Sequence, residues 1–361
     1  MGFNSGSPML FHTADVHVGD SRNLPGYLGR QEKMLYQFTD ICIRKKVDLA
    51  VFSGDIFDAK HMLDREKDMF LKWLIEHDHA AAKHDFYSVL MNGNHDEIEE
   101  GYTHLRKHKI LTDYGLLDRT KIVESDPEIV GPFKDRIYVA ALPAKRYVDD
   151  EINFSVVALR KVLDKKLELK SIDPASIYFV VMIHDSIFGC ENESGNWVCK
   201  KGPRLDSALP VTYWALGDIH KPFQRILPNA WYPGSPIQHD FGDIGQERGV
   251  LVVNLDRPTE PEPVLLTGIT PLITVSAVPD EWQKDAIIRF EGTALEIADT
   301  TFPDNVVGFK PVVDVAQIRS VVDTGGHDML EDLAGLLIEQ EVPETLQQAV
   351  VSEIEAAIAA L

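Results

Sequence analysis

Five apolar, strand-like runs in the first 220 residues each stop on side chains that can hold a cation, and this ordering constrains the chain more than any other feature. "PMLFHTADVH" ends on Asp15 and His17, and "VDLAVFSGDIFD" reaches Asp55. "DFYSVLMNGNHD" supplies Asn94 and His95, "IYFVVMIHDS" supplies His184, and "VTYWALGDIH" finishes on Asp218 and His220. In open α/β sheets, ligands gather beyond the carboxyl ends of strands. Turn chemistry by itself also favours Asp, Asn and Gly where strands stop. One such ending is therefore uninformative, whereas five in order, each bringing an oxygen or an imidazole nitrogen, predict a shared site.

Between these runs the periodicity switches to that of helices. "EKMLYQFTDICIRKK", "REKDMFLKWLIEHDHAA" and residues 153–170, with Val156, Leu159, Leu163 and Leu167 on one face, have amphipathic helical spacing. Shorter strands are expected near "KIVESD" and "RIYVAALP", and "GVLVVNLD" closes the series. Strands alternating with helices predict an α/β layered domain with much of its sheet buried. Beyond about residue 270, "LITVSA", "AIIRFEG" and "VVGFKPVVDV" read as three short strands of a small α+β module. Two helical runs follow, one with Leu330, Leu333 and Leu337 on a face, the other led by Pro343 with Leu346, Val350, Ile354 and Ile358 four apart. The expected division is 8–268, 269–325 and 326–361.

The net charge of -21 is unevenly spread: residues 271–361 hold four Lys/Arg against seventeen Asp/Glu, so that segment alone carries most of it. A chain this acidic binds nucleic acid poorly by phosphate neutralisation alone, and the plainer role of the C-terminal acidity is solubility. Three cysteines, Cys42, Cys190 and Cys199, suit a reducing cytoplasm rather than a disulfide scaffold. No apolar stretch approaches the length of a membrane span, and "MGFNSGSPML" lacks the pattern of a secretion signal.

The donors define the chemistry. Imidazole and carboxylate together suit a divalent ion of the Mn or Zn type, whereas Mg and Ca prefer oxygen alone. Asp15 and His17, two apart on an extended segment, can point to one side, and Asp55 sits where one carboxylate can bridge two ions. Two ions roughly 3.5–4 Å apart would clamp a phosphate and activate water for in-line attack. His95, beside Asn94 and not needed as a ligand, is then free to stabilise or protonate the leaving oxygen.

"DVH", "GDIFD", "GNHD", the isolated His184 and "GDIH" resemble the ordered signature of calcineurin-like metallophosphoesterases over the first 250 residues. "YWALGDIHKP" followed by "WYPGSPIQHDFGD" is similar, more narrowly, to the SbcD-type nuclease subunits of DNA repair and recombination, phage versions included. The resemblance implies a two-layer β-sandwich flanked by helices, two divalent ions (Mn2+, or Mg2+), a small capping domain and an SbcC-type coiled-coil ATPase as partner. A homodimer and a DNA substrate are expected with it. By position it assigns Asp15, His17, Asp55 and His220 to one ion, Asp55, Asn94, His184 and Asp218 to the other, and His95 to catalysis. The family usually has histidine at position 218. A carboxylate there adds negative charge and hardens the site towards Mn or Mg. Some relatives also carry histidine where Asp58 stands, so a second catalytic histidine is not expected at that turn.

The other candidates have plain readings. His12, His61, His77, His79 and His84 are expected at the surface or just behind the donors. Two cysteines without a second pair are weak evidence for zinc, so "GCENESGNWVCKKGPR" is read as a polar excursion. Beside His184, it can border the cleft with Trp197, Lys200, Lys201 and Arg204. Arg22, Arg30, Lys60, Lys221 and Arg225 follow donor motifs and are candidate phosphate contacts, although exposed loop cations are common. The leading function is a metal-dependent DNA nuclease, exonucleolytic or endonucleolytic. A phosphoesterase for small or protein substrates is the second reading, disfavoured in its serine/threonine phosphatase form because "GDIFDAK" and "GNHD" replace an arginine-containing "GDxVDRG" and "GNHE". The third is a scaffold with a structural metal, against which an intact His95 speaks. The C-terminal helices are expected to dock on the ATPase.

Overall fold

The computed structural model describes residues 6–58, 61–99, 102–144, 147, 150–192, 199, 202–293, 296–297 and 300–311. The helical segment expected at 326–361, with the docking role assigned to it, lies outside the described residues. The chain divides into two units: Met1–His239 with Gly245–Ile269, and Asp240–Ile244 with the described residues from Thr270 onward.

The first unit begins β1 (Met9–Thr13), α1 (Tyr27–Lys45), β2 (Leu49–Ser53), α2 (Asp64–His84), β3 (Tyr87–Met91). A two-stranded ribbon follows, β4 (Glu97–Glu99) and β5 (Tyr102–Thr103), leading into α3 (His104–Asp113). Then come β6 (Thr120–Val123), β7 (Glu128–Phe133), β8 (Ile137–Leu142), α4 (Glu151–Leu169), β9 (Tyr178–His184) and β10 (Tyr213–Gly217). The short strands β11 (Gln224–Leu227) and β12 (Ala230–Tyr232) precede β13 (Gly249–Asn254) and β14 (Glu262–Leu265).

These strands form two six-stranded sheets, ordered β14-β13-β1-β2-β3-β6 and β11-β12-β10-β9-β8-β7. Their inner faces share one core: Leu10, Leu49, Val51, Val89 and Leu251 of one sheet meet Val139, Val180, Met182, Tyr213 and Ala215 of the other. The alternate residues Phe11, Ala50 and Phe52 face outward under α1 and α2. On the far side, Ala140, Val181 and Trp214 lie under the Ile152, Val156, Leu163 and Leu167 face of α4. Both faces of each central strand are buried, so the sequence shows continuous apolar runs there rather than alternation. The two-layer sandwich flanked by helices is the architecture found.

The helices obey their spacing. In α1, Met34, Leu35, Phe38, Ile41 and Cys42 are buried at helical intervals, and Lys46 ends it in the left-handed conformation. Trp73 of α2 is fully enclosed beside Phe52 and Phe70; burying such a side chain contributes ~2 kcal/mol.

In the second unit, β15 (Leu272–Val275), β16 (Ile287–Gly292) and β17 (Val306–Pro311) form a parallel sheet. Ile288, Phe290 and Ile297 centre a core with Trp282 and Phe302 against it. Among the described residues, no helix is long and apolar enough to cross a membrane.

Candidate metal centre

The parallel pairing of β1, β2 and β3, and of β9 with β10, carries five strand ends to one edge of the sandwich. Past the strands, the loops continue to pair: Asp15 N–H donates to Gly54 O (3.1 Å), and Val16 and His17 N–H both donate to Asp55 O. Asp15, His17 and Asp55 have positive φ (53°, 48° and 51°). That conformation costs of order 1–3 kcal/mol for such residues and persists only where the surroundings enforce it.

Around this frame the donors converge. Among the described residues, three sets have ligand atoms within 4.8 Å of one another: Asp15, His17 and His220; Asp15, Asp55 and His184; and His17, Asp55 and His95. Asp55 stands between two imidazole groups, with Oδ1 3.2 Å from His184 Nε2 and Oδ2 3.6 Å from His17 Nε2. Asn94 Oδ1 lies 2.9 Å from His184 Nε2, and Asp218 Oδ1 lies 3.9 Å from it. Asp15, His17, Asp55 and His184 are buried, Asp218 and His220 half-buried, and Asn94 and His95 exposed.

The residues fit a bound cation on their own geometry. His184 Nδ1 is 2.8 Å from Ser53 O, so Nδ1 carries a proton and donates it. Its Nε2 then faces two oxygen acceptors, an arrangement that needs a positive charge between them: a proton in the free protein, or a metal. Burial pushes the His184 pKa down, but the Asp55 carboxylate overrides it and raises the value well above the ordinary. Burial would likewise raise the Asp55 pKa, and the same pairing lowers it instead. Asp15 Oδ2 is buried without a hydrogen-bond partner, and burial raises the Asp15 pKa well above the usual carboxylate range. His17 Nε2 and His220 Nε2 are 3.0 Å apart, close enough to share one cation. Oxygen and imidazole in these proportions suit a borderline-hard divalent ion.

Close packing explains the glycines of the motifs. His184 sits between Gly54 and Gly217: a Cβ at either position would come within 2.3 Å and 2.7 Å of its Nδ1. The stretches "GDIHKP" and "PGSPIQHD" also touch, because Gly234 (φ 80°) lies on the His220–Pro222 backbone. Buried Arg248 ties the two together by donating to His220 O (3.1 Å) and Ser235 O (3.3 Å).

Several contributors escape the strand-end pattern. Asp96, the last letter of "GNHD", accepts from Ile56, Phe57 and Gly93 N–H (3.2, 2.7 and 2.7 Å) and so locks two donor loops together. Burial, with the nearby Asp55 charge, pushes its pKa up to about 7. His239 packs edge-on against His17 with ring centres 5.2 Å apart, and its Nδ1 meets Asp20 Oδ2 at 2.8 Å. A histidine that ends no apolar strand carries no signal of that kind in sequence.

Other expectations land elsewhere. His61, His79 and His84 are exposed. His12 and His77 are not at the surface but fully buried, each with a hydrogen-bond partner at both ring nitrogens. Arg22 directs its guanidinium to Glu66 (2.7 Å) and His61 O, Arg30 donates to Gln238 O, and Lys221 pairs with Glu191. Arg225 lies 5.9 Å from the Trp231 ring, and Arg204 covers Phe188 at 3.4 Å. Lys60, Trp197, Lys200 and Lys201 lie outside the described residues. Cys42, Cys190 and Cys199 are free thiols.

No family model matches the sequence. Among curated proteins, the chain is similar to the SbcD component of the SbcCD nuclease of Rhodobacter capsulatus, 23% identical over 94% of this chain and 89% of that protein. It is also similar to the SbcD components from Staphylococcus epidermidis (24% identical, 68% of this chain) and Staphylococcus saprophyticus (23%, 68%). The chain spans 66% and 65% of the length of these two staphylococcal relatives. The similarity to SbcD components thus runs over most of this chain at low identity. Among solved structures, a dimetal phosphatase from Danio rerio is 12% identical with a TM-score of 0.38, covering 69% of this chain and 92% of that one.

Proposed function

We propose that this SbcD-type chain is a metal-dependent DNA nuclease subunit, exonucleolytic or endonucleolytic, that hydrolyses phosphodiester bonds in repair or recombination. Its cofactors are two divalent ions, Mn2+ before Mg2+, and its partner is an SbcC-type coiled-coil ATPase. The chain works in the cytoplasm as a homodimer, with residues 8–268 as nuclease domain, 269–325 as cap and 326–361 as docking segment. The observation that carries the reading is Asp55, whose two oxygens face His184 on one side and His17 on the other. This supports Asp15, His17, Asp55 and His220 as donors for one ion and Asp55, Asn94, His184 and Asp218 for the other.

When bound, the ions would neutralise charge at the phosphoryl group and make a water more acidic. The remaining work falls to side chains. His95 is exposed at the mouth of a set of largely buried donors, with its backbone N–H on Asp55 Oδ1 (2.9 Å). Its Nδ1 points at Asp58 O (3.2 Å), which orients the ring and leaves Nε2 to deliver a proton to the leaving oxygen. Lys221, next to His220, and Arg225, Arg22 and Lys60 are the cations we place along the DNA backbone. Since the first 270 residues are themselves net acidic, the partner supplies most of the phosphate attraction.

Linear and circular DNA, single- and double-stranded, incubated with Mn2+ or Mg2+ alone and with the ATPase, test this directly. Metal-dependent cleavage that EDTA abolishes is expected. Hydrolysis of a chromogenic phosphodiester with no DNA cleavage under any condition would move the chain to the small-phosphoester reading.

A further inference from the structure

Asp218 is held more tightly than a turn aspartate requires. Its Oδ2 accepts a hydrogen bond from Ser186 Oγ, two residues past His184. Its backbone N–H donates to Asp15 Oδ1 (3.1 Å), and its φ of 99° is a conformation that non-glycine residues avoid. These contacts leave Oδ1 on the side of the carboxylate nearer His184, 3.9 Å from Nε2, where Asn94 and Asp55 also converge. Ser186 is itself clamped from both sides. The hydroxyl of fully buried Tyr232 donates to Asp185 O (2.7 Å) and accepts from Ile187 N–H (2.9 Å). The loop carrying Ser186 is thereby fixed to β12, so the backbone from which the hydroxyl reaches Asp218 has a defined place.

We propose that Ser186 is a positioning residue that presents Asp218 as a one-oxygen ligand to the ion on the His184 side, and so sets this chain's preference for hard, oxygen-seeking divalent cations. The inference rests on the reading of Asp218 as a ligand. A carboxylate free to turn binds a cation through either oxygen or both. With Oδ2 engaged by a hydroxyl, only Oδ1 keeps its full capacity to accept, and its direction is set before the ion arrives. Hydrogen bonds behind a metal ligand act in this way generally, and losing one costs about 10- to 100-fold in metal affinity.

The test uses the full-length, metal-stripped protein, with Mn2+ binding followed by electron paramagnetic resonance and Zn2+ as competitor. Ser186→Ala should weaken Mn2+ at one of two sites by about 10- to 100-fold and lower the preference for Mn2+ over Zn2+, while the other site is unchanged. Ser186→Thr, which keeps the hydroxyl, should return both to within about twofold. In an Asp218→His background, adding Ser186→Ala should shift affinity by no more than about twofold, because the carboxylate it served is gone. Weakening of both sites alike, of neither, or by the same factor in the Asp218→His background would overturn the role of Ser186. If Asp218→Ala leaves both sites intact, the ligand reading of Asp218 fails and this inference with it; if Asp218→Ala empties one site while Ser186→Ala does nothing, only the inference fails.

Discussion

His12 and His184 are equally shut away from solvent, yet they carry opposite electrical demands. His12, in the middle of the sandwich, has Tyr213 OH 3.0 Å from Nδ1 and Leu216 O 3.1 Å from Nε2, and burial holds its pKa down at about 3. His77 repeats the pattern under α2: Thr39 and Ser88 hydroxyls sit 2.8 Å from its two nitrogens, and burial lowers its pKa to about 4. At the strand ends, His184 has one nitrogen on a carbonyl, while the other faces Asp55 and Asn94. Its pKa rises despite burial. Burial alone therefore does not mark a functional histidine. What sets His184 apart is a second ring nitrogen aimed at the Asp55 carboxylate and Asn94 Oδ1.

The sharpest way to break the contrast is to remove the carboxylate that creates it. Asp55→Ala deletes the oxygens facing both imidazole groups, and metal-dependent phosphodiester hydrolysis should fall by about 10³-fold or more. Activity within tenfold of wild type, on the order of 1.4 kcal/mol, would show that the strand-end cluster is not the reaction centre. His95→Ala should cut cleavage by about 10²–10³-fold while metal affinity, read by calorimetry, stays near wild type. Loss of metal in step with activity would make His95 a ligand instead.

The interior histidines answer to pH. The unfolded chain protonates His77 near 6.5, the folded chain only at about 4. Stability from this residue is therefore complete above pH 6.5 and drains away as pH falls towards 4, by about 3 kcal/mol. Urea unfolding of the metal-free protein at pH 7 and pH 4.5 should show the loss, and His77→Gln should flatten the slope by close to one proton. An unaltered slope would mean that His77 is not held neutral. The smallest effect is expected at Asp218, where Asp218→His should keep cleavage within about tenfold and shift the metal preference towards Zn2+. Metal titrations identical to wild type would make Asp218 an ordinary turn residue.

The convergence of the candidate donors is legible in the sequence because each follows an apolar run, and parallel pairing carries such ends to one edge. The central strands and α1, α2 and α4 are legible from periodicity for the same reason: both sheets are buried on both faces. Strands β7, β11 and β14 are not, since "EIVGPF", "QRIL" or "EPVL" presents a mixed or exposed face with little apolar signal, and β12 is only three residues long. Helix α3 escapes because "HLRKHKILTD" buries only His104, Leu105 and Thr112 and carries a mostly polar sequence. Asp96 and His239 lie within quoted motifs and Ser186 beside one, but their roles depend on partners far along the chain: Phe57 for Asp96, His17 for His239 and Asp218 for Ser186. No local pattern encodes that pairing.

The account rests on the strand-end cluster holding a pair of cations, so the most direct measurement is the number of Mn2+ ions bound per chain by the metal-stripped protein, counted by titration under electron paramagnetic resonance. Two ions per chain are predicted, with spin coupling between them because Asp55 faces both groups of donors. Binding of no ion, or of a single uncoupled ion at saturation, would contradict the account.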